Sequence, residues 1–70
     1  KDHVAAPIPG LLVDVAVTEG IKVPKGAKLC TIEAMKMETV IYADQPGIVE
    51  RLCVKAGEYI EAQQLLLIIK

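Results

Sequence analysis

The 70-residue sequence contains no phenylalanine and no tryptophan, and it has only two tyrosines, two cysteines and one histidine. Without large aromatic side chains the interior must be filled by aliphatic ones, and 8 Val, 8 Ile and 7 Leu are present for that purpose. Most of these residues are β-branched, which favours strands over helices. A chain of this length buries only about 60% of its unfolded surface. The composition therefore predicts one small all-β domain.

Long apolar runs and an excess of one charge sign are also missing. The formal charge is -1 and acidic and basic residues are interspersed, so the sequence predicts no nucleic-acid partner and no anionic membrane surface as partner. The apolar run at residues 65–69 is far shorter than the roughly 20 residues that span a bilayer. The chain begins without Met and shows no signal-peptide pattern, so we expect it to be a fragment or a processed product.

The residues suited to metal or redox chemistry do not form a recognisable site. Cys30 and Cys53 lie in apolar, strand-like segments without a CxxC spacing or a nearby histidine, which indicates two buried free thiols. The only histidine, His3, lies near a terminus that is expected to fray. No Ser/His/Asp or Cys/His grouping can be assembled, so we predict no catalytic residue and no metal ligand.

An internal repeat organises the chain, because a shift of 37 residues superposes residues 6–33 on residues 43–70 without a gap. The identical pairs are turn residues and core aliphatics, the positions that determine a backbone. They are Ala6 with Ala43, Pro9 with Pro46, Gly10 with Gly47, Val17 with Val54, Gly20 with Gly57, Leu29 with Leu66 and Ile32 with Ile69. Neither half can bury its own apolar face, so the two should pack together with approximate two-fold symmetry.

Runs of β-branched residues separated by turn residues predict eight extended segments and no helix. The predicted segments are 4–8, 11–18, 21–23, 28–33, 37–42, 48–55, 59–60 and 65–69. In both copies the shared apolar positions step by three and then by two, which one extra residue in the strand explains. We therefore predict a β-bulge after Gly10 and another after Gly47, and turns with positive φ at Gly20 and Gly57.

The segment at residues 34–42 lies outside the aligned copies, and we predict that it forms a hairpin with Lys36 in its turn. A tight turn at Met35-Lys36 needs positive φ at both residues, and Asn-Gly would normally be preferred there. This locally unfavourable choice indicates selection for function. Met35 and Met37 are unusual beside an exposed turn but suit a surface that several partners contact. Lys36 is therefore expected to be an exposed tethering point.

The sequence Glu-Ala-Met-Lys-Met-Glu at residues 33–38, with Ala-Pro-Ile-Pro-Gly at residues 6–10, resembles the biotinyl (biotin carboxyl carrier) domain of biotin-dependent carboxylases. The resemblance covers residues 4–70. It implies a flattened β-barrel of two four-stranded sheets, formed by residues 1–70 as a C-terminal fragment of a larger carboxylase chain. By this resemblance Lys36 is the biotin attachment site. The residues beside it, Ala34, Met35 and Met37, are then those that partner enzymes read.

The function that the resemblance implies is carriage rather than catalysis. A biotin protein ligase would attach biotin to Lys36. The domain would then shuttle carboxyl groups from a biotin carboxylase site to a carboxyltransferase site, in the cytoplasm or the mitochondrial matrix. Glu33 and Glu38 would keep the hairpin soluble or contact the ligase, without a catalytic role. Ile21 and Gln63 depart from the family pattern, where an acidic residue and a glycine are usual.

Two other interpretations remain open. A lipoyl carrier has the same fold and a lysine at the same hairpin, and it differs chiefly in lacking methionines beside that lysine, so Met35 and Met37 favour biotin. The second alternative is a structural β-domain in which Lys36 is an ordinary solvated turn residue. The duplication and the residues around Lys36 speak against that alternative.

Overall fold

The computed structural model describes the backbone of residues 2–70 and the side chains from His3 onward. Lys1, which the predicted domain includes, lies outside the described residues. The structure contains β1 (Asp2–Ala5), β2 (Gly10–Val15), β3 (Lys22–Val23), β4 (Lys28–Ala34), β5 (Met37–Tyr42), β6 (Gly47–Leu52), β7 (Tyr59–Ile60) and β8 (Leu65–Ile69). The prediction of an all-β fold is confirmed. No helix that could cross a membrane is found in residues 2–70.

The eight strands form two antiparallel sheets of four strands each. One sheet has the order β1-β8-β6-β3 and the other has the order β5-β4-β2-β7. A shift of 37 residues converts β1 to β4 into β5 to β8, so each sheet is the image of the other. The predicted two-fold arrangement is confirmed. The repeat also reaches further than the sequence comparison indicated, because β5 is the equivalent of β1 although the two strands share no identical residue.

The symmetry extends to the bulges and the turns. Strand register shifts between Leu12 and Asp14 and again between Val49 and Arg51, which confirms a bulge in each copy. The φ angles of Gly20 and Gly57 are +88° and +96°, as predicted for both turns. The N–H of Gly20 donates to the Val49 carbonyl at 2.8 Å, and the N–H of Gly57 donates to the Leu12 carbonyl at 2.7 Å. These bonds join the two halves of the chain.

The core lies between the two sheets and is aliphatic apart from the thiol of Cys30. Its largest fully buried side chains are Leu12, Leu29, Ile32, Val49, Ile60, Leu66 and Leu67. Val17 and Val54 are also buried, although β2 ends at Val15 and β6 at Leu52. The predicted strands at 11–18 and 48–55 are therefore three residues too long at their ends, because one inward-facing valine can be buried without a continuing hydrogen-bond ladder.

Three other predictions are wrong. The first strand, predicted at 4–8, lies at Asp2–Ala5 and ends before Pro7, which has no N–H to donate to a neighbouring strand. Cys53 is exposed, since it lies just before the inward-facing Val54 and neighbouring side chains of an extended chain point to opposite sides. Cys30 is buried, as expected. His3 does not lie at a frayed end, because it belongs to β1 and pairs with Ile68 of β8.

The Lys36 hairpin and the ends of the described chain lie at opposite ends of the molecule. β5 leaves the hairpin at Met37 and runs away from it for six residues, which is about 20 Å at a rise of roughly 3.3 Å per residue. After the turn that follows β5, Ile48 exchanges two backbone hydrogen bonds with Lys70. Asp2 pairs with Ile69 beside this point. The hairpin is therefore far from both chain ends.

Candidate functional site

The candidate site is the hairpin that joins β4 to β5. Its last strand pair is Ala34 with Met37, which leaves Met35 and Lys36 as a two-residue turn. Their φ angles are +52° and +66°. Positive φ at both central residues is the type I′ geometry, which matches the twist of the flanking strands but strains residues with a Cβ atom. The predicted turn and its unfavourable backbone are both observed.

The side chains at the tip point into solvent. Met35 is 94% exposed and Met37 is 72% exposed, and Lys36 is exposed between them. Ala34 is half-buried at the end of β4. The structure thus brings the four predicted site residues together in one turn and places neither methionine in the core. Exposed methionines at such a position suit a surface that contacts other molecules.

Two carboxylates flank the turn on its strands. Glu33 of β4 and Glu38 of β5 are directly opposite each other, and both are exposed. Neither has an ion-pair partner among the described residues. Like charges at directly opposite positions destabilise a strand pair. The acidic pair therefore costs the hairpin stability, and it gives the tip a negative surface around one lysine.

The chemistry available at this site is that of a primary amine in water. Across residues 2–70, no three His, Cys, Asp or Glu side chains are grouped so that they could hold a metal ion. Burial, and to a smaller extent the nearby Asp14 carboxylate, raises the pKa of the Cys30 thiol to about 11. Cys30 is therefore a poor nucleophile. No described side chain hydrogen-bonds or ion-pairs with the Lys36 amine, so an acyl group could be attached to it without disturbing the fold.

An apolar groove beside the hairpin was not recognised from the sequence. Its walls include Ile8 from the β1–β2 loop, Leu11 of β2 and Tyr59 of β7, together with Met35 and Met37. These residues come from distant parts of the chain, and only the sheet order brings them together. Tyr59 carried the one available signal, because it is one of only two tyrosines and aligns with a lysine in the other copy.

Comparison with known proteins places the fold and the hairpin in a family. A family model described as "Biotin-requiring enzyme" matches residues 2–69. The chain belongs to this family. The resemblance to carboxylase biotinyl domains is likewise confirmed, since the relatives within this family are carboxylases. Residues of this chain are 40% identical to human mitochondrial pyruvate carboxylase over 67 residues, which are 96% of this chain and 6% of that protein.

Other members of the biotin-requiring enzyme family give the same result. The propionyl-CoA carboxylase alpha chain of Ruegeria pomeroyi is 41% identical over 61 residues, which are 87% of this chain and 9% of that protein. A solved single-chain, multi-domain long-chain acyl-CoA carboxylase superposes with a TM-score of 0.89 at 35% identity, over 94% of this chain and 7% of that chain. The chain thus spans less than a tenth of each of these three relatives and corresponds to one small region of a multi-domain carboxylase.

Proposed function

We propose that this chain is a biotin carrier domain in which Lys36 is covalently biotinylated. The observation that carries the proposal is the Lys36 amine itself, exposed at a strained type I′ turn between two exposed methionines. A turn chosen for stability would hold Asn-Gly. Membership of the biotin-requiring enzyme family supports biotin as the group that such an amine would receive.

Attachment requires little from the domain except presentation of the amine. The Lys36 nitrogen attacks the acyl carbon of a biotinyl adenylate held by a biotin protein ligase. A C–N amide bond forms, the bond from the acyl carbon to the phosphate oxygen breaks, and AMP leaves. A lysine amine in water is protonated at neutral pH, so a base of the ligase takes up the proton. The side chain loses its positive charge, and the formal charge of the chain changes from -1 to -2.

The attached group would supply a ring nitrogen that accepts a carboxyl group in one active site and releases it in another. The chain's own contribution is to hold the attachment point on a rigid two-sheet body, which raises the local concentration of the group at each site without tight binding to either. The partners would be a biotin carboxylase and a carboxyltransferase within a larger carboxylase, in the cytoplasm or mitochondrial matrix. The relatives support this, because the chain aligns with only 6% to 9% of their length.

The acceptor of the carboxyl group would be selected outside these residues. Relatives with 40% and 41% identity to this chain are named for pyruvate and for propionyl-CoA. Two such different acceptors are therefore served by carriers of nearly equal similarity to this one. We propose that residues 2–70 carry no acceptor specificity.

The test is biotinylation with purified components. The chain is incubated with a biotin protein ligase, biotin and ATP, and is then analysed by intact mass and peptide mapping. The expected product carries one biotinyl group on Lys36. Lys36→Arg should remain unlabelled, whereas Lys25→Arg, a matched change in another exposed turn, should be labelled normally. Labelling at another lysine, or no labelling, contradicts the proposal.

The same assay separates the alternatives. Incubation with a lipoate ligase and lipoate should leave the chain unmodified, because the exposed Met35 and Met37 favour the biotin enzymes. Lipoylation of Lys36 without biotinylation would assign a lipoyl carrier. Resistance to both ligases would leave Lys36 as an ordinary turn residue of a structural domain.

A further inference from the structure

The apolar groove beside the hairpin is open to solvent, and attachment of a group to Lys36 does not by itself account for it. It is lined by Ile8, Leu11, Met35, Met37 and Tyr59. Tyr59 is 68% exposed and Leu11 is 40% exposed, and the two are directly paired across β7 and β2. Together with the two exposed methionines they form a contiguous apolar surface, and such surfaces mark interaction sites in small proteins.

The internal repeat supplies a control surface in the same molecule. The backbone that forms the groove has an equivalent at the opposite end of the molecule. There Lys22 pairs with Ile48, and this pair is equivalent to Tyr59 with Leu11. A residue that the fold requires should be similar in both places. A residue that serves a partner of Lys36 should differ, since the second place has no lysine hairpin beside it.

Some groove residues are the same at both surfaces because the fold requires them. Gly10 and Gly47 are equivalent, and a Cβ atom on either would lie 2.4 Å from the Glu33 carbonyl oxygen or 2.5 Å from the Ile69 Cγ2 atom. The close approach of strands therefore requires glycine in both copies. Leu11 is equivalent to Ile48, which is also aliphatic. These residues are explained by the fold.

Three groove positions differ between the two places. Ile8 is replaced by Gln45, Tyr59 by Lys22 and Glu33 by Lys70. The same backbone therefore tolerates polar and basic side chains at the chain-end surface. At Tyr59 and Glu33, which are exposed, the apolar and acidic character of the Lys36 end is not a requirement of the fold, whereas Ile8 is half-buried and also packs against the core.

On the basis of the function proposed above, we propose that this groove is the docking surface for the biotin protein ligase, with Tyr59 and Ile8 as its specific contacts. In the acylation step the reacting atom is the nitrogen of Lys36, the residue that stands in the chain between two residues of the groove wall, Met35 and Met37. An enzyme that takes this nitrogen into its active site must therefore cover the groove. In later carboxyl transfers the reacting atom lies beyond the whole attached chain, so close cover of the groove is less needed.

The charge of the surface indicates the chemistry of the docking partner. Glu33 lines the groove and Glu38 lies opposite Glu33, and neither carboxylate has an ion-pair partner among the described residues. A complementary ligase surface would present an apolar projection bordered by basic side chains. Such a contact should weaken as ionic strength rises.

The experiment transplants the residues of the control surface into the groove. Tyr59→Lys and Ile8→Gln are compared with the unchanged chain in steady-state biotinylation by a purified ligase, and far-UV circular dichroism and thermal unfolding verify the fold of each variant. We expect each variant to raise KM for the chain by about tenfold or more with kcat nearly unchanged, as for loss of an apolar side chain that anchors an interface. Tyr59→Phe should restore the normal KM, because it keeps the ring.

The reciprocal change is the matched control. Lys22→Tyr alters the equivalent position at the other end and should leave KM unchanged. Equal KM values for Tyr59→Lys, Ile8→Gln and the unchanged chain overturn the docking surface while Lys36 biotinylation still stands. Normal biotinylation with a slowed carboxylation of the attached group would assign the groove to a carboxylase instead and also overturns the inference. If the unchanged chain is not biotinylated, the proposed function itself is contradicted.

Discussion

Equivalent residues in the two copies of the repeat can differ in type and still have the same backbone conformation. Gln63 occupies the position of Gly26, and its φ is +71° where that of Gly26 is +85°. The N–H of each donates to the carbonyl of an equivalent alanine at 2.8 to 2.9 Å. Gln63 therefore keeps a turn that glycine would make without strain, at a cost of about 1 kcal/mol. The departure from the family pattern changes the side chain but not the turn.

The two cysteines should behave differently in solution. At neutral pH a thiol reagent should modify Cys53 in the folded chain and reach Cys30 only after unfolding, because Cys30 is buried and its pKa is raised to about 11. A thiol whose folded-state pKa lies above its unfolded value contributes stability that is complete below pH 9 and is lost as pH rises towards 11. The free energy of unfolding, measured in urea, should fall across that range.

Cys30→Ala is the control for this alkaline loss. The variant should be less stable at neutral pH by about 1 kcal/mol through the lost packing, but its stability should depend less on pH above 9. Equal alkaline slopes in the two proteins would show that Cys30 does not ionise with the expected coupling to folding. Rapid modification of both thiols in the native state would contradict the burial of Cys30.

Among the elements, the hairpin of β4 and β5 has a turn that costs stability, and the proposed attachment role of Lys36 accounts for this cost. Replacing Met35-Lys36 by Asn-Gly should raise the free energy of unfolding by about 1 kcal/mol or more, since both new residues accept positive φ. The midpoint of urea unfolding measures this gain, and Lys36→Arg should leave the midpoint unchanged. A lower midpoint in the Asn-Gly variant would mean that the turn is not of the type I′ form.

Much of the element structure follows from the sequence, and the failures have identifiable causes. The predicted bounds of β5 and β8 agree with the structure, because each segment is rich in β-branched and aliphatic residues and is bounded by predicted turns. The repeat located the bulges. The equivalence of β1 and β5 could not be found, because edge strands pair on one side only and their sequences are less constrained. The sequence predicted that Tyr59 belongs to a strand. It could not predict that Tyr59 lies beside the hairpin, because that position depends on the strand order of the sheet.

At the scale of the whole molecule, the two halves are interleaved rather than adjacent. β1 and β3 pair only with strands of the second half, and β5 and β7 pair only with strands of the first. Either half alone keeps a single antiparallel pair, β2 with β4 or β6 with β8, and an isolated pair is marginally stable at best in water. The domain must therefore fold as one cooperative unit.

Separate halves should show this directly. Peptides of residues 1–36 and 37–70 should each lack sheet signal in far-UV circular dichroism and give poorly dispersed amide resonances. Mixing them should restore the dispersed spectrum, because the cut lies in an exposed turn and removes no strand pair. The uncut chain is the control. If either half folds alone, its stability does not depend on strand pairing between the halves, which would contradict the prediction.

The separation between the hairpin and the chain ends has a mechanical consequence. Any polypeptide joined beside the paired Asp2 and Ile69 holds the molecule at the end remote from its reactive amine, and the long dimension of the fold is 31 Å. Pivoting about that anchor swings the amine along an arc with a radius close to this length, while both sheets stay rigid. If Lys36 carries the proposed biotinyl group, the domain would act as a lever and let that group visit catalytic centres several tens of ångströms apart.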